Sequence, residues 1–321
     1  MALARWAEVH RLAVAGRQPE IARDTGARVC WTWLRTSRFA AVEAVATATL
    51  TLGPDAGAFY QRGWARSWTG HPWLALADYQ QALTMCQQSG DRDNEATTFN
   101  NIGRVYARLG DRQRALDHYH RALIIRRDVG DRAGEAGTLN NIGLVYDGLG
   151  DWQRALDYYY RALPIEREVG DRAGEGVVLN NIGLVYDGLG DRQRALDHLH
   201  QALIIRLEVG DRAGEGVVLN NIGLVYDGLG DRQRALDHYH RALPIRHEVG
   251  DRAGEAVTRF NIAMARRDDG DLDQAIRELE RVVDLDRQID APGLEADTAV
   301  LEQLRRQRAE DHGSEPPSAA P

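Results

Sequence analysis

Lysine is missing from this chain: all 40 basic residues among its 321 are arginine. A complete Walker A loop, a Schiff-base nucleophile and the ATP-binding lysine of protein kinases are therefore excluded. Serine is scarce, and no Gly-x-Ser-x-Gly elbow occurs. The two cysteines, Cys30 and Cys86, lie far apart and form no metal-ligand spacing; free thiols in a cytoplasmic protein are the expectation. Cys30 sits beside Trp31 on a helical pattern, where a buried, inert thiol is expected. Long apolar runs are absent too, because arginines and acids interrupt every candidate, so no membrane contact is expected. The opening Met1–Glu8 lacks a basic segment followed by an apolar core, so no secretory signal is read there. A basic excess is also lacking: the net charge is −8, which argues against a nucleic-acid partner.

What is present is repetition. Residues 170–209 and 210–249 are identical at 36 of 40 positions, differing only at Leu199/Tyr239, Gln201/Arg241, Ile204/Pro244 and Leu207/His247. The register extends back through 130–169 and 90–129, and forward more weakly through 250–289. In the unit that starts at Gly130, Leu139, Ile142, Val145, Tyr146 and Leu149 fall at helical spacing. Ala155, Leu156, Tyr159, Ala162, Leu163 and Ile165 do the same. Gly150-Asp151 separates the two segments and Gly170-Asp171 closes the unit. Glycine suits the left-handed position after a helix, and aspartate caps the next one. Each unit is therefore read as two antiparallel helices joined by a tight turn. Gly143 and Ala155 allow close approach within a unit, Ala162 allows it toward the next, and Tyr146 and Tyr159 fill the remaining space. Pro164 and Pro244 are expected to bend the second helix of their units.

This pattern resembles the tetratricopeptide repeat family. The family's small-large positions are met by Leu139, Gly143, Tyr146, Ala155, Tyr159 and Ala162, with Pro164 slightly early. The match covers about residues 55–290 in five or six registered copies. The 40-residue length, with Leu-Asn-Asn-Ile-Gly and Gly-Asp-Arg, looks most like the longer variety. That variety occurs in kinesin light chains, in Leu-Gly-Asn-repeat polarity adaptors, and in bacterial regulators that carry signalling-ATPase or CHAT-protease domains. The resemblance implies an all-α, right-handed superhelical solenoid of about seven antiparallel helix pairs. It also implies that the first helix of each pair lines a concave groove where an extended peptide is held.

The domains follow: residues 1–54 as a degenerate N-terminal helical cap, 55–290 as the array, 291–310 as a C-terminal capping helix, and 311–321 as a Ser/Pro/Ala-rich disordered tail.

Histidines tempt a metal reading, since His118/His120, His198/His200 and His238/His240 recur. Spacing of i, i+2 puts two rings about 200° apart on a helix, whereas zinc on a helix uses i, i+3 or i, i+4. These positions fall on the second helix, expected to form the outer surface. No metal or other cofactor is expected, and no enzyme. The pairs Asp117–Arg121, Asp157–Arg161 and Asp237–Arg241 are read as exposed i, i+4 ion pairs.

Asparagines stand apart. Asn100-Asn101, Asn140-Asn141, Asn180-Asn181 and Asn220-Asn221 recur on the first helix, and Asn261 survives alone. Asparagine is a mediocre helix former, so propensity does not select it. In repeats of the resembled family such residues hydrogen-bond a peptide backbone, and one amide offers both a donor and an acceptor. The first of each pair is expected to face ligand and the second to be partly structural. The family's other groove positions fall on Tyr60, Trp64 and Trp68, then Arg104 and Arg108, then Asp147, Asp187 and Asp227, then Phe260, Met264 and Arg267. An aromatic end followed by charge zones would sort ligands. The competing reading packs the tryptophans under the degenerate N-terminal unit, since six of seven precede residue 74.

The expected function is a scaffold that binds a peptide segment or a partner protein. Two other readings stay open: a regulatory sensor of a signalling system, and self-association through nearly identical repeats.

Overall fold

The computed structural model describes residues 2–313. Among the described residues there are sixteen helices and no strand, divided into two compact units, Met1–Val169 and Gly170–Pro321. The first unit holds α1 (Ala2–Ala15), α2 (Pro19–Arg35), α3 (Phe39–Leu50), α4 (Ala56–Trp68), α5 (Pro72–Ser89), α6 (Arg92–Arg108), α7 (Arg112–Val129), α8 (Arg132–Gly148) and α9 (Trp152–Val169). The second holds α10 (Arg172–Gly188), α11 (Arg192–Glu208), α12 (Arg212–Gly228), α13 (Arg232–Glu248), α14 (Arg252–Asp268), α15 (Leu272–Ile289) and α16 (Leu294–Gly313). The division falls at a repeat boundary inside the array. Of the tail read from residue 311, the first three residues continue α16 and the rest lies outside the described residues.

Helix ends are set by the Gly-Asp punctuation. Gly110, Gly150, Gly190 and Gly230 adopt φ between 73° and 81°, a region that glycine enters without steric cost. The following aspartate accepts a hydrogen bond from the third amide of the next helix, as Asp171 does from Gly174 at 2.8 Å. Neither internal proline ends its helix: α9 runs through Pro164 to Val169, and α13 through Pro244 to Glu248.

Within a pair, a ring lies on a glycine. A Cβ placed on Gly143 would come 2.5 Å from Cε1 of Tyr159, and one on Gly223 would come 2.5 Å from Cε1 of Tyr239. Gly103 and Tyr119 form the same contact. Tyr159 and Tyr239 are fully buried, so the ring fills the space that a side chain on the facing helix would need. Leu199 opposes Gly183 in this way. In the last pair the glycine is replaced by Ala263 and the tyrosine by Leu279, both buried in one cluster.

Successive first helices α4, α6 and α8 touch one another, as do α10, α12 and α14, while the second helices within a unit make no comparable contact. The first helices therefore line the inner side of each unit. Exposed bonds such as Arg132–Glu168 at 2.7 Å and Arg172–Glu208 at 2.5 Å tie the start of a first helix to the end of its partner. Such surface pairs contribute about 0–1 kcal/mol each, so apolar burial carries the stack.

Gly143→Ala should destabilise the protein by about 1–3 kcal/mol through overpacking, despite the better helix propensity of alanine. In a Tyr159→Leu background the cost should shrink, as Ala263 and Leu279 illustrate. Chemical unfolding of the four proteins measures this; a Gly143→Ala protein more stable than its parent would mean the contact is loose.

Candidate functional site

The inner face of the first unit carries an aromatic and arginine cluster. Trp31 on α2 meets Trp64 edge-on with ring centroids 5.7 Å apart, and Trp64 meets Tyr60 at 5.9 Å. Phe39 stacks on Trp68 at 5.9 Å. Trp64 is half-buried and packs into the core on both sides of α4, whereas Trp68 stays 51% exposed. Trp64 thus packs, as the competing reading expected, whereas Trp68 faces solvent. The Arg104 guanidinium lies 5.7 Å from the ring centres of both Trp64 and Trp68, and Arg108 lies 5.1 Å from Trp68. These are cation–π distances.

Between α6 and α8 lies a cleft of about 310 Å³, lined by Arg104, Arg108, Arg112, Tyr119, Asn141 and Leu144 among others. None of these three arginines makes an ion pair with a described carboxylate, although most arginines of the chain do. Burial, then the charge of Arg104, lowers the proton affinity of Arg108. Guanidinium stays protonated at any physiological pH, so the cleft is positive inside a net acidic chain.

The asparagines form a ladder along each inner face. Nδ2 of Asn141 donates to Oδ1 of Asn100 at 3.0 Å, Asn221 to Asn180 at 2.9 Å, and Asn261 to Asn220 at 3.1 Å. Asn101 donates to the hydroxyl of Tyr60 at 2.6 Å, and Thr258 adds a second donor to Asn220 at 3.2 Å. Asn140 and Asn181 are also engaged. The division of labour read from the sequence is therefore not the arrangement seen. The first asparagine of a pair uses its carbonyl oxygen to hold the next first helix, and Asn180, Asn181, Asn220 and Asn221 are buried. A buried amide without a partner is costly, so the ladder fixes the register of successive pairs.

Asp147, Asp187 and Asp227 are half-buried at the far end of their first helices. Burial raises the Asp147 carboxyl above the usual carboxylate range. Burial and then the charge of Asp268 raise that of Asp227, with Arg232 opposing. Asp187 lies 3.8 Å from Arg192 of its own loop. In the second unit the exposed inner-face residues that sequence reasoning missed are apolar: Val177, Leu224 and Val257. Leu144 is their counterpart in the first unit. None of them falls on the helical apolar pattern of the repeat, and the sequence reading gave them no role. Phe260 and Met264 are half-buried against the last cluster, and Arg267 pairs with Asp268 at 2.7 Å.

The i, i+4 ion pairs do not form. Asp117 and Asp237 accept instead from Gln113 and Gln233, and Arg121 lies over the Phe99 ring. Cys30 is buried, and burial pushes its thiol up to about 12. Among the described residues no group of three or more His, Cys, Asp or Glu is placed to hold a metal ion, and no helix is long and apolar enough to cross a membrane.

A family model described as tetratricopeptide repeat matches residues 73–128, 104–168, 134–208, 176–248 and 214–288. The chain belongs to the tetratricopeptide repeat family. No curated protein matches it. BtubC from P. vanneervenii is 21% identical with a TM-score of 0.60, covering 67% of this chain and 91% of its own. A Rap protein complexed with Competence and Sporulation Factor is 14% identical with a TM-score of 0.61, covering 96% and 99%. A signal-transduction ATPase with a tetratricopeptide repeat sensor, from Pyrococcus horikoshii, is 14% identical with a TM-score of 0.68. That match covers 94% of this chain and 50% of the ATPase chain. At these identities the likeness shows the fold alone.

In these tetratricopeptide units the first histidine of each pair is not on the outer surface as its helix suggested. His118 stacks on Tyr106 at 5.5 Å, His198 on Tyr186 at 5.6 Å and His238 on Tyr226 at 5.5 Å. Tyr158 takes the same place on Tyr146 at 5.5 Å. Burial, then the Arg241 charge, holds His238 down to about 4. The unfolded chain, with an ordinary histidine near 6.5, therefore takes up the proton first as pH falls. Stability from this group is complete above about pH 6.5 and is lost as pH falls toward about 4. His238→Tyr, which copies Tyr158, should keep the stack and reduce the loss of thermal stability between about pH 7 and about pH 4.5. An equal loss in parent and variant, read by circular dichroism, would contradict this.

Proposed function

We propose that the protein is an interaction scaffold whose inner faces hold an extended segment of a partner protein, and that the first unit selects an acidic segment. Tetratricopeptide repeats suggest such a scaffold, and their fold is typically non-catalytic. The observation that carries the selection is the cleft where Arg104, Arg108 and Arg112 converge without a described carboxylate, beside Trp64 and the exposed Trp68. A carboxylate entering there gains charge-assisted hydrogen bonds from fork-shaped donors. An apolar neighbour on the same segment gains the Trp68 face. The asparagine ladder holds the face in register, and Leu144 extends it with apolar surface.

Two structural neighbours support a ligand on this fold: one is a Rap protein complexed with Competence and Sporulation Factor, and the other carries a tetratricopeptide repeat sensor. A sensor role for this chain would rest on the same face.

A peptide-array screen with the full chain tests the reading. Acidic peptides that also carry an aromatic or large apolar residue should be enriched, and binding should weaken as salt rises. Arg104→Ala with Arg108→Ala should lower affinity for the selected peptides by about tenfold or more. Enrichment without regard to charge, or equal binding by the variant, would overturn the selection of an acidic segment.

A further inference from the structure

In one register near the end of the second helices the residue changes from pair to pair: Cys86, Arg126, Glu166, Arg206, Arg246 and Asp286. Near the end of α7, α11 and α13 stand Arg126, Arg206 and Arg246, each buried. Each reaches across to the start of the next first helix. Arg206 donates to Asp211 at 2.8 Å, and Arg246 donates to Asp251. Arg126 donates to Thr138 Oγ1 at 2.8 Å. Arg246 runs between α12 and α14, since a Cβ on Gly216 would meet its Cδ at 3.4 Å and one on Gly254 would also meet it. The guanidinium thus fills a slot between two neighbouring first helices.

In α15 the residue in this register is Asp286, and the capping aspartate five positions on is Ala291. The slot between α14 and α16 is accordingly open, a cleft of about 430 Å³. Val257, Phe260, Val282 and Ile289 give it apolar walls, and Asp286 and Asp297 supply its polar groups. No basic residue lines it. Asp286 is 4% exposed, and its Oδ2 has no hydrogen-bond partner. Arg252, at the start of α14, is bonded to Gln288, as Arg172 and Arg212 are to Glu208 and Glu248.

We propose that this cleft receives an arginine side chain from a bound protein segment, its guanidinium on Asp286 and Asp297 and its stem along the apolar walls. The incoming arginine would occupy the space that Arg126, Arg206 and Arg246 occupy in their own units. A planar guanidinium offers several parallel donors to two carboxyl groups, and a long stem covers apolar wall as it enters. Burial, then the hydrogen bond and charge of Asp286, raises the Asp297 carboxyl to about 6, as two acids sharing a site without a cation require. The inference rests on the inner face of the second unit being a binding surface, but it concerns a separate site from the arginine cleft of the first unit.

Ligand-observed NMR on the full chain, with N-acetyl-arginine amide as the probe, tests it independently of any peptide. The probe should bind saturably at one site, and the uncharged citrulline analogue should not. Asp286→Asn should weaken binding by about tenfold or more. Asp286→Arg with Ala291→Asp rebuilds the internal pair and should abolish binding while keeping or raising the unfolding temperature. The proposal falls if the citrulline analogue binds equally, if no probe binds, if the lysine amide binds as tightly, or if binding survives in the rebuilt variant. Failure of the acidic-peptide screen would leave each of these readouts unchanged.

Discussion

A tyrosine ring resting on a glycine backbone sets the geometry on which the rest depends. Where Tyr159 covers Gly143 and Tyr239 covers Gly223, the two helices of a pair come together with only the ring between them. That approach lets the first helices of successive pairs touch, and the touching helices are what the asparagine amides then join. The inner face is thus a consequence of packing before it is a surface for anything else. Its amides are largely committed to the stack, which leaves arginine, tryptophan and exposed aliphatic side chains to meet a partner.

Most of the fold was legible because each unit repeats its own punctuation. Gly150-Asp151 and Gly170-Asp171 mark turns by backbone chemistry alone, and α9 and α10 begin just after them. The site was legible only in part. Trp64, Trp68, Arg104 and Arg108 were named as groove positions of successive units, and the structure brings Arg104 to Trp64 and Arg108 to Trp68 within cation–π distance. The role of the asparagines was not, because Asn141 finds its partner on another helix pair, 41 residues away. The signal that could have shown it was present: a residue carrying both donor and acceptor, recurring on every first helix. Val177, Val257 and Leu144 escaped because they lie outside the repeat's apolar pattern, and periodicity gives no sign of an exposed aliphatic residue. The histidines went wrong for a related reason. Periodicity told the two rings of a pair apart by face, but not that the Tyr106 and Tyr226 rings wait on one of those faces.

Departures from the repeat are where the functional readings concentrate. A position filled the same way in every unit serves the stack, as Asp211 and Asp251 do for Arg206 and Arg246. A position filled differently in one unit frees chemistry that the others use internally. Arg104 and Arg108 stand where the next three pairs carry leucine and glycine and the last carries Met264 and Asp268, and they lack an acidic partner among the described residues. Asp286 stands in a register that holds arginine in α7, α11 and α13 and glutamate in α9, and its Oδ2 has no hydrogen-bond partner. The two sites have opposite charge and lie in different units, so a partner's charge pattern would be read at each of them.

The central claim is that the faces built by the first helices, and not those built by the second, meet the partner. Hydrogen–deuterium exchange of the full chain, with and without a peptide selected by its binding, tests it most directly. The account predicts slowed exchange along α4, α6 and α8, with α5, α7 and α9 unchanged. Slowed exchange confined to α5, α7 and α9 would contradict it.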